Sequence, residues 1–194
     1  MTLSRREFLA ASAAVTLAKP LSALHAADAP ASYDGLKVGA QSYSFRDLSL
    51  ERALKQYQTL GLKYAEFYSK HVPLNSSPNQ LDIIKKHCEE YGVQPVAYGV
   101  QDFKKGSPNN RKNFELGKRL GVKYISANPE RDSFDDLDKL CEEYKIAIGI
   151  HPHGPNGKRG PLHRWYSAEI IMAAVKDHDP LIGTCIDTGH ILRC

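Results

Sequence analysis

From residue 36 onward the chain runs in two rhythms. Charged segments with apolar residues at helical spacing give way, after a tight turn, to short apolar runs of strand character. The junction appears four times: Gln58–Phe67, Glu89–Tyr98, Lys118–Ala127 and Glu142–His151. Gly61, Gly92 and Gly121 fall where the charged segment ends, the place for a left-handed helix cap. Successive junctions lie about 30 residues apart, the size of one βα unit.

The pattern predicts strands at Lys37–Ser44, Tyr64–Tyr68, Pro95–Val100, Tyr124–Ala127, Ala147–His151 and Ile182–Ile186. Between them it predicts helices at Leu50–Leu60, Asn79–Tyr91, Asn109–Leu120, Ser133–Tyr144 and Ser167–Asp177. In the second helix Leu81, Ile84, Cys88 and Tyr91 share one face. Strands joined by single helices pair in parallel and are buried on both faces. Right-handed crossovers curl such units into a barrel. The expected fold class is α/β, of the (β/α)8 TIM-barrel type but incomplete, with about six βα units over residues 36–194. The rival is an open doubly wound sheet. After the first strand such a sheet would carry a G-x-G-x-x-G turn, where Gln41-Ser42-Tyr43-Ser44 stands instead.

The first residues read as an address. Ser4-Arg5-Arg6-Glu7-Phe8-Leu9 precedes an Ala-rich run, Ala10–Ala18, which Lys19-Pro20 breaks. This is the twin-arginine export pattern, with cleavage expected between Ala26 and Ala29. The plainer reading is an amphipathic N-terminal helix. Residues 1–29 are thus expected to be a signal peptide and residues 30–35 a linker. The implied partner is the twin-arginine (Tat) export machinery, and the implied location is periplasmic or secreted. The apolar run is shorter than the ~20 residues a membrane span needs, so no membrane association is expected after signal removal.

Composition adds little. The formal charge is +4 for the whole chain. It becomes +3 without residues 1–29, which hold Arg5, Arg6 and Lys19 against Glu7 and Asp28. That is too mild to argue for nucleic acid. Cys88, Cys141, Cys185 and Cys194 form no C-x-x-C pair. Cys88 and Cys141 read as helix-face residues and Cys185 as a strand residue.

In a parallel barrel the chemistry sits at the C-terminal ends of the strands. Those ends hold Gln41 and Tyr43 on the first strand, Glu66 on the second and Tyr98 on the third. These four are the candidate substrate-binding residues. The fifth strand ends His151-Pro152-His153, and the sixth leads into Asp187-Thr188-Gly189-His190. A lone strand-end His is usually a hydrogen-bonded structural residue. Three imidazoles and a carboxylate on neighbouring tips point instead to a site for a divalent metal such as Mn, Zn, Mg or Co. His151, Asp187 and His190 are the candidate metal ligands, and His151, His153 and His190 the candidate catalytic groups. No site for an organic cofactor is read.

The Asp-Thr-Gly-His ending, the His-x-His strand and the Gly39-Ala40-Gln41-Ser42-Tyr43-Ser44-Phe45 opening resemble the sugar phosphate isomerase/epimerase family. That family belongs to the xylose-isomerase-like barrels, with ketose 3-epimerases, inosose dehydratases and endonuclease IV repair enzymes. The resemblance covers about residues 36–192 and implies one divalent metal held by Glu, Asp, His and Glu from strands five to eight. Carried over, the strand-six Asp is Asp187, and His190 is the His that contacts substrate in epimerases and metal in repair enzymes. The strand-five Glu falls at His151, a departure that removes the two-carboxylate proton shuttle. A whole barrel needs ~250 residues, so the chain is expected to be a C-terminally truncated barrel lacking strands seven and eight, and inactive alone.

The resemblance implies an isomerase or epimerase acting on a carbohydrate or keto-sugar, with metal-assisted proton abstraction beside a carbonyl. The His-for-Glu change admits a keto-glycoside lyase or dehydratase. A sugar-binding module without chemistry is the second class. A repair endonuclease is disfavoured by the export signal and the weak charge.

Overall fold

A computed structural model of the chain describes residues 36–155 and 160–194. The expected signal peptide and linker lie outside the described residues. Six strands form one sheet in the order β1-β2-β3-β4-β5-β6, every pair parallel. They are β1 Gly39–Gln41, β2 Tyr64–Phe67, β3 Gln94–Phe103, β4 Tyr124–Pro129, β5 Ala147–Ile150 and β6 Ile182–Thr184. The helices are α1 Leu50–Thr59, α2 Pro78–Glu90, α3 Pro108–Leu120, α4 Phe134–Tyr144, α5 Ala168–Val175 and α6 Thr188–Ile191. A parallel sheet with its strands in chain order and a helix after each is the architecture of a partial TIM barrel. No described helix is long and apolar enough to cross a membrane.

Local chemistry explains the element ends. Helix α2 starts with Pro78 behind a reciprocal capping box. Ser77 N–H donates to Gln80 Oε1 at 2.7 Å, and Gln80 N–H to Ser77 Oγ at 3.3 Å. Helix α3 ends on Gly121 at φ 80°, as its sequence position requires. Helix α4 ends on Lys145, which takes the same left-handed conformation at φ 54° without being glycine. Strand β1 is shorter than its apolar run, because Ser42–Phe45 turns into a 3-10 helix. Ser42 is buried there, and its Oγ accepts from Tyr68 N–H at 3.1 Å. Strand β6 stops at Thr184 rather than Ile186, and Asp187 caps α6 instead of continuing the strand.

The core lies between the sheet and the helices in two clusters. One gathers Leu54, Tyr57, Phe67, Leu81, Cys88 and Leu120 around the first half of the sheet. The other gathers Phe114, Ile125, Leu137, Cys141, Ile148 and Trp165 around the second. The four cysteines are free. The opposite face of the sheet is inward and lined by small groups. Ala97, Ser126, Gly149 and Gly183, with Glu66, Thr184 and Cys185, border an open cavity of about 530 Å³.

Candidate metal and acid-base site

His151 directly follows β5, and its N–H continues the ladder to Ala127 O at 2.8 Å. Pro152 has no N–H to give, and the next bond, His153 N–H to Trp165 O at 3.0 Å, ties the segment to the loop before α5. Backbone bonds therefore fix both imidazoles at the strand tip. Asp187 arrives from the neighbouring strand. Its Oδ1 caps α6 by accepting from His190 N–H at 2.8 Å, and its Oδ2 lies 3.3 Å from His151 Nε2. The ring of His190 stands 5.3 Å from His151 and 5.0 Å from His153, and the latter two are 4.8 Å apart. His151, His153 and His190 each offer a ring nitrogen within 4.8 Å of the others.

Hydrogen bonds sort these imidazoles by tautomer. His190 Nδ1 accepts from Gly154 N–H at 2.9 Å and faces Arg193 Nη2 at 2.6 Å. A backbone amide and a guanidinium can only donate, so Nδ1 carries no proton and the neutral ring bears it on Nε2. His163, ring 4.6 Å from His153, is sorted the same way, because its Nδ1 accepts from Trp165 N–H at 3.2 Å. His151 Nδ1 and His153 Nε2, by contrast, are buried and have no hydrogen-bond partner among the described residues.

Burial holds the His153 pKa down to about 4, with help from the neighbouring His151, His163, His190 and Arg164. Burial also lowers His190, although Asp187 opposes it, and lowers His163 beside Arg164. Burial pushes the Asp187 carboxyl up. The His190 amide and the facing His190 and His151 rings outweigh it, and the net shift is down. His153, His163 and His190 are thus held toward the neutral form beside a carboxylate held toward the ionised one.

That donor set fits a divalent metal. Tetrahedral ligands with bonds of ~2.0–2.1 Å stand roughly 3.3 Å apart, which is the His151–Asp187 separation. Buried ring nitrogens without a partner among the described residues, His151 Nδ1 and His153 Nε2, are a costly state unless something binds there. His190, placed among the metal ligands by sequence, has its Nδ1 lone pair committed to two N–H groups and is better suited to donate from Nε2.

Of the sequence-derived substrate residues, Gln41 and Glu66 come together on adjacent strands. Gln41 Nε2 donates to Glu66 Oε1 at 3.0 Å, and Glu66 lines the inner cavity. A Cβ at Gly99 would stand 2.6 Å from Ser126 on the neighbouring strand and 3.0 Å from that carboxylate oxygen, so glycine makes room first for the strand and then for Glu66. Tyr43 stands half exposed at the same end of the sheet, edge-on to Tyr68 at 5.4 Å. Tyr98 is not brought to the site. It points to the helix side, fully buried, and its hydroxyl donates to Val72 O at 3.1 Å. The reason is alternation along the strand: Tyr98 falls on the face opposite Ala97.

Sequence reasoning missed His163 and Asp102. His163 sits in an irregular loop with no period to read. Asp102 lies beyond the expected end of the third strand, which the structure extends to Phe103. The lone Trp of the chain, Trp165, was the available signal: a tryptophan in a polar loop anchors that loop to a core.

No protein-family model matches the chain, and no curated protein sequence does. Among solved structures it is similar to an uncharacterized protein from Parabacteroides distasonis, with 26% identity, 79% of this chain and 64% of that one covered, and a TM-score of 0.64. It is similar to the IolI protein with a bound zinc atom at 17% identity, covering 80% of this chain and 64% of that one, TM-score 0.57. It is also similar to the apo form of 3-keto-D-glucoside 4-epimerase from E. coli at 15% identity, covering 76% and 67%, TM-score 0.56. The chain spans 64% of the length of the first two. Other solved structures to which it is similar include D-psicose 3-epimerase and a xylose isomerase-like TIM barrel/4-hydroxyphenylpyruvate dioxygenase fusion protein, and at these identities the likeness is one of fold.

Proposed function

We propose that this chain carries the site of a sugar isomerase/epimerase-like enzyme that moves a proton next to the carbonyl of a keto-sugar. The observation that carries this reading is the imidazole–carboxylate cluster at the mouth of the sheet, with its two orphaned buried nitrogens. Two neighbours of the fold are named for keto-sugar epimerisation, D-psicose 3-epimerase and 3-keto-D-glucoside 4-epimerase.

His151 and Asp187 would hold a divalent metal, which when bound polarises a carbonyl and the adjacent hydroxyl. His153 takes the proton from the carbon beside the carbonyl at Nε2. Burial keeps its ring neutral, the state a base must start in. His190 donates its Nε2–H to the carbonyl oxygen, held in that tautomer by Gly154 and Arg193. Return of the proton to the opposite face of the same carbon gives epimerisation, and its delivery to the former carbonyl carbon gives isomerisation. Departure of a β-substituent gives elimination, and the imidazole at the fifth strand tip, where a carboxylate would support a two-carboxylate shuttle, keeps a keto-glycoside lyase or dehydratase as the second reading.

The test is deuterium exchange at the carbon beside the carbonyl of D-fructose or D-psicose, followed by NMR with and without added zinc or manganese. Metal-dependent exchange that His153→Ala abolishes supports the reading. Sugar-dependent thermal stabilisation without exchange would make the chain a sugar-binding module. The arginine pair and Ala-rich run of residues 1–29 support export through the twin-arginine route to the periplasm or beyond.

A further inference from the structure

Strands β3, β4 and β5 carry a row of polar side chains on one face. Asp102 and Asn128 are register partners, and Asn128 lies one residue beyond the Ala127–Ile150 pair, beside His151. Ser126, two residues before Asn128, lines the inner cavity, so by alternation the row faces inward at the mouth. Its outward neighbours Phe103, Ala127 and Ile150 are buried in the helix-side core.

A chain of hydrogen bonds orients Asp102. Arg164 Nη2 donates to Asn128 Oδ1 at 3.0 Å, which identifies the oxygen of that amide without ambiguity. Asn128 Nδ2 must then donate, and it does so to Asp102 Oδ1 at 2.8 Å. Arg164 is itself held, with Nε on Pro129 O at 3.0 Å and Nη2 on Asn128 O at 3.4 Å. Trp165, fully buried, donates to the same Pro129 carbonyl at 2.8 Å. A buried indole and a half-buried guanidinium thus aim one exposed carboxylate. A carboxylate in water needs no such scaffold to stay charged. Among the described residues Asp102 Oδ2 has no donor, and the His163 ring, 4.6 Å from His153, bears its proton on Nε2.

We propose that Asp102 is a specificity-determining residue that accepts hydrogen bonds from hydroxyls of a polyhydroxylated substrate and sets it across β3 and β4 with its carbonyl end at the imidazoles, Asn128 and Arg164 being positioning residues. This rests on the carbohydrate reading above. A charged acceptor aimed in advance suits a hydroxyl donor and repels an anionic group, so the substrate end that lies here is neutral and hydroxylated.

The experiment is calorimetric titration of the full chain, loaded with zinc, with D-fructose and a panel of monodeoxy-D-fructoses. Asp102→Ala is expected to weaken D-fructose binding about tenfold or more, the range for a hydrogen bond to a charged group. One monodeoxy sugar should bind the wild-type and Asp102→Ala chains equally. The isosteric Asp102→Asn, which keeps the surface shape, should follow Asp102→Ala. Asn128→Ala, which leaves the carboxylate unsupported, should lose part of the affinity and none of the melting temperature lost by core variants. Unchanged D-fructose binding by Asp102→Ala overturns the inference and leaves the carbohydrate reading standing. An equal loss for every sugar in the panel also overturns it, since that is a structural effect. If the wild-type chain binds no sugar, the carbohydrate reading fails and takes the inference with it.

Discussion

Trp165 is the peg that fastens the loop before α5 to the tip of β4, and its replacement separates two contributions. The indole is fully buried, packs edge-to-face on Phe134 at 6.0 Å and lies beneath the Arg131 guanidinium at 4.8 Å. Its Nε1–H donates to Pro129 O, which also accepts from Arg164. Trp165→Phe keeps most of the ring and loses the bond, but Pro129 O retains a partner. The expected loss is about 1–2 kcal/mol, one hydrogen bond plus a small void. Trp165→Ala empties the site and is expected to lose about 3–5 kcal/mol, out of a typical total of ~5–15. Because His153 N–H bonds to the backbone carbonyl of residue 165, the alanine variant should also weaken zinc binding, by about 10–100-fold, the range for lost supporting contacts. The chain has a single Trp, so urea unfolding must be followed by circular dichroism, and zinc by competition with a chelating dye. Equal losses for the two variants would show that the bond, and not the volume, dominates. Losses under about 1 kcal/mol for both would remove Trp165 from its anchoring role.

Acid should destabilise the fold through His153. Its folded pKa of about 4 lies below the usual 6.5, so the unfolded chain takes the proton first. Stability is full above the unfolded value and falls as pH drops toward the folded one, and His153→Gln should flatten the melting-temperature profile in that window. His151→Ala and Asp187→Ala should each lower zinc affinity at least about tenfold, whereas His190→Ala should spare more of it; the reverse order in a dye competition would refute the tautomer assignment. Lys145→Gly should stabilise by about 0.5–1 kcal/mol in urea unfolding, by relieving a left-handed non-glycine cap. Replacing Arg5 and Arg6 by Lys should hold the chain in the cytoplasm, and unchanged periplasmic recovery would sink the export reading.

The sheet was legible because each unit states its period twice, once in the helical spacing and once in the short apolar run. Cap chemistry fixed the helix starts at Ser77 and Ser107 within a residue of the pattern. The strand ends were less legible. Apolar content continues through Ile186, but the chain leaves the sheet at Thr184 so that Asp187 can cap α6, a decision made by hydrogen bonding and not by hydrophobicity. The candidate site was readable where chemistry and periodicity coincide, at His151, His153, Asp187 and His190. Tyr98 shows the opposite. The strand runs on to Phe103, so Tyr98 lies in its middle and not at its end, and one step of alternation turns it to the core. His163 depends on the path of an irregular loop, which no local pattern encodes.

The sheet's strand order has a consequence for how the molecule comes to exist. Every pairing joins strands about 30 positions apart, so each addition closes a loop whose entropy cost is roughly 3 kcal/mol and does not grow with the number of strands already in place. The two core clusters divide along the same line. The first is complete once residues up to Val122 are available, and the second draws on Phe103 through Ile182. A nascent chain can therefore close its first cluster while the imidazole-bearing half is still being synthesised, and the site would be the last part of the described fold to form.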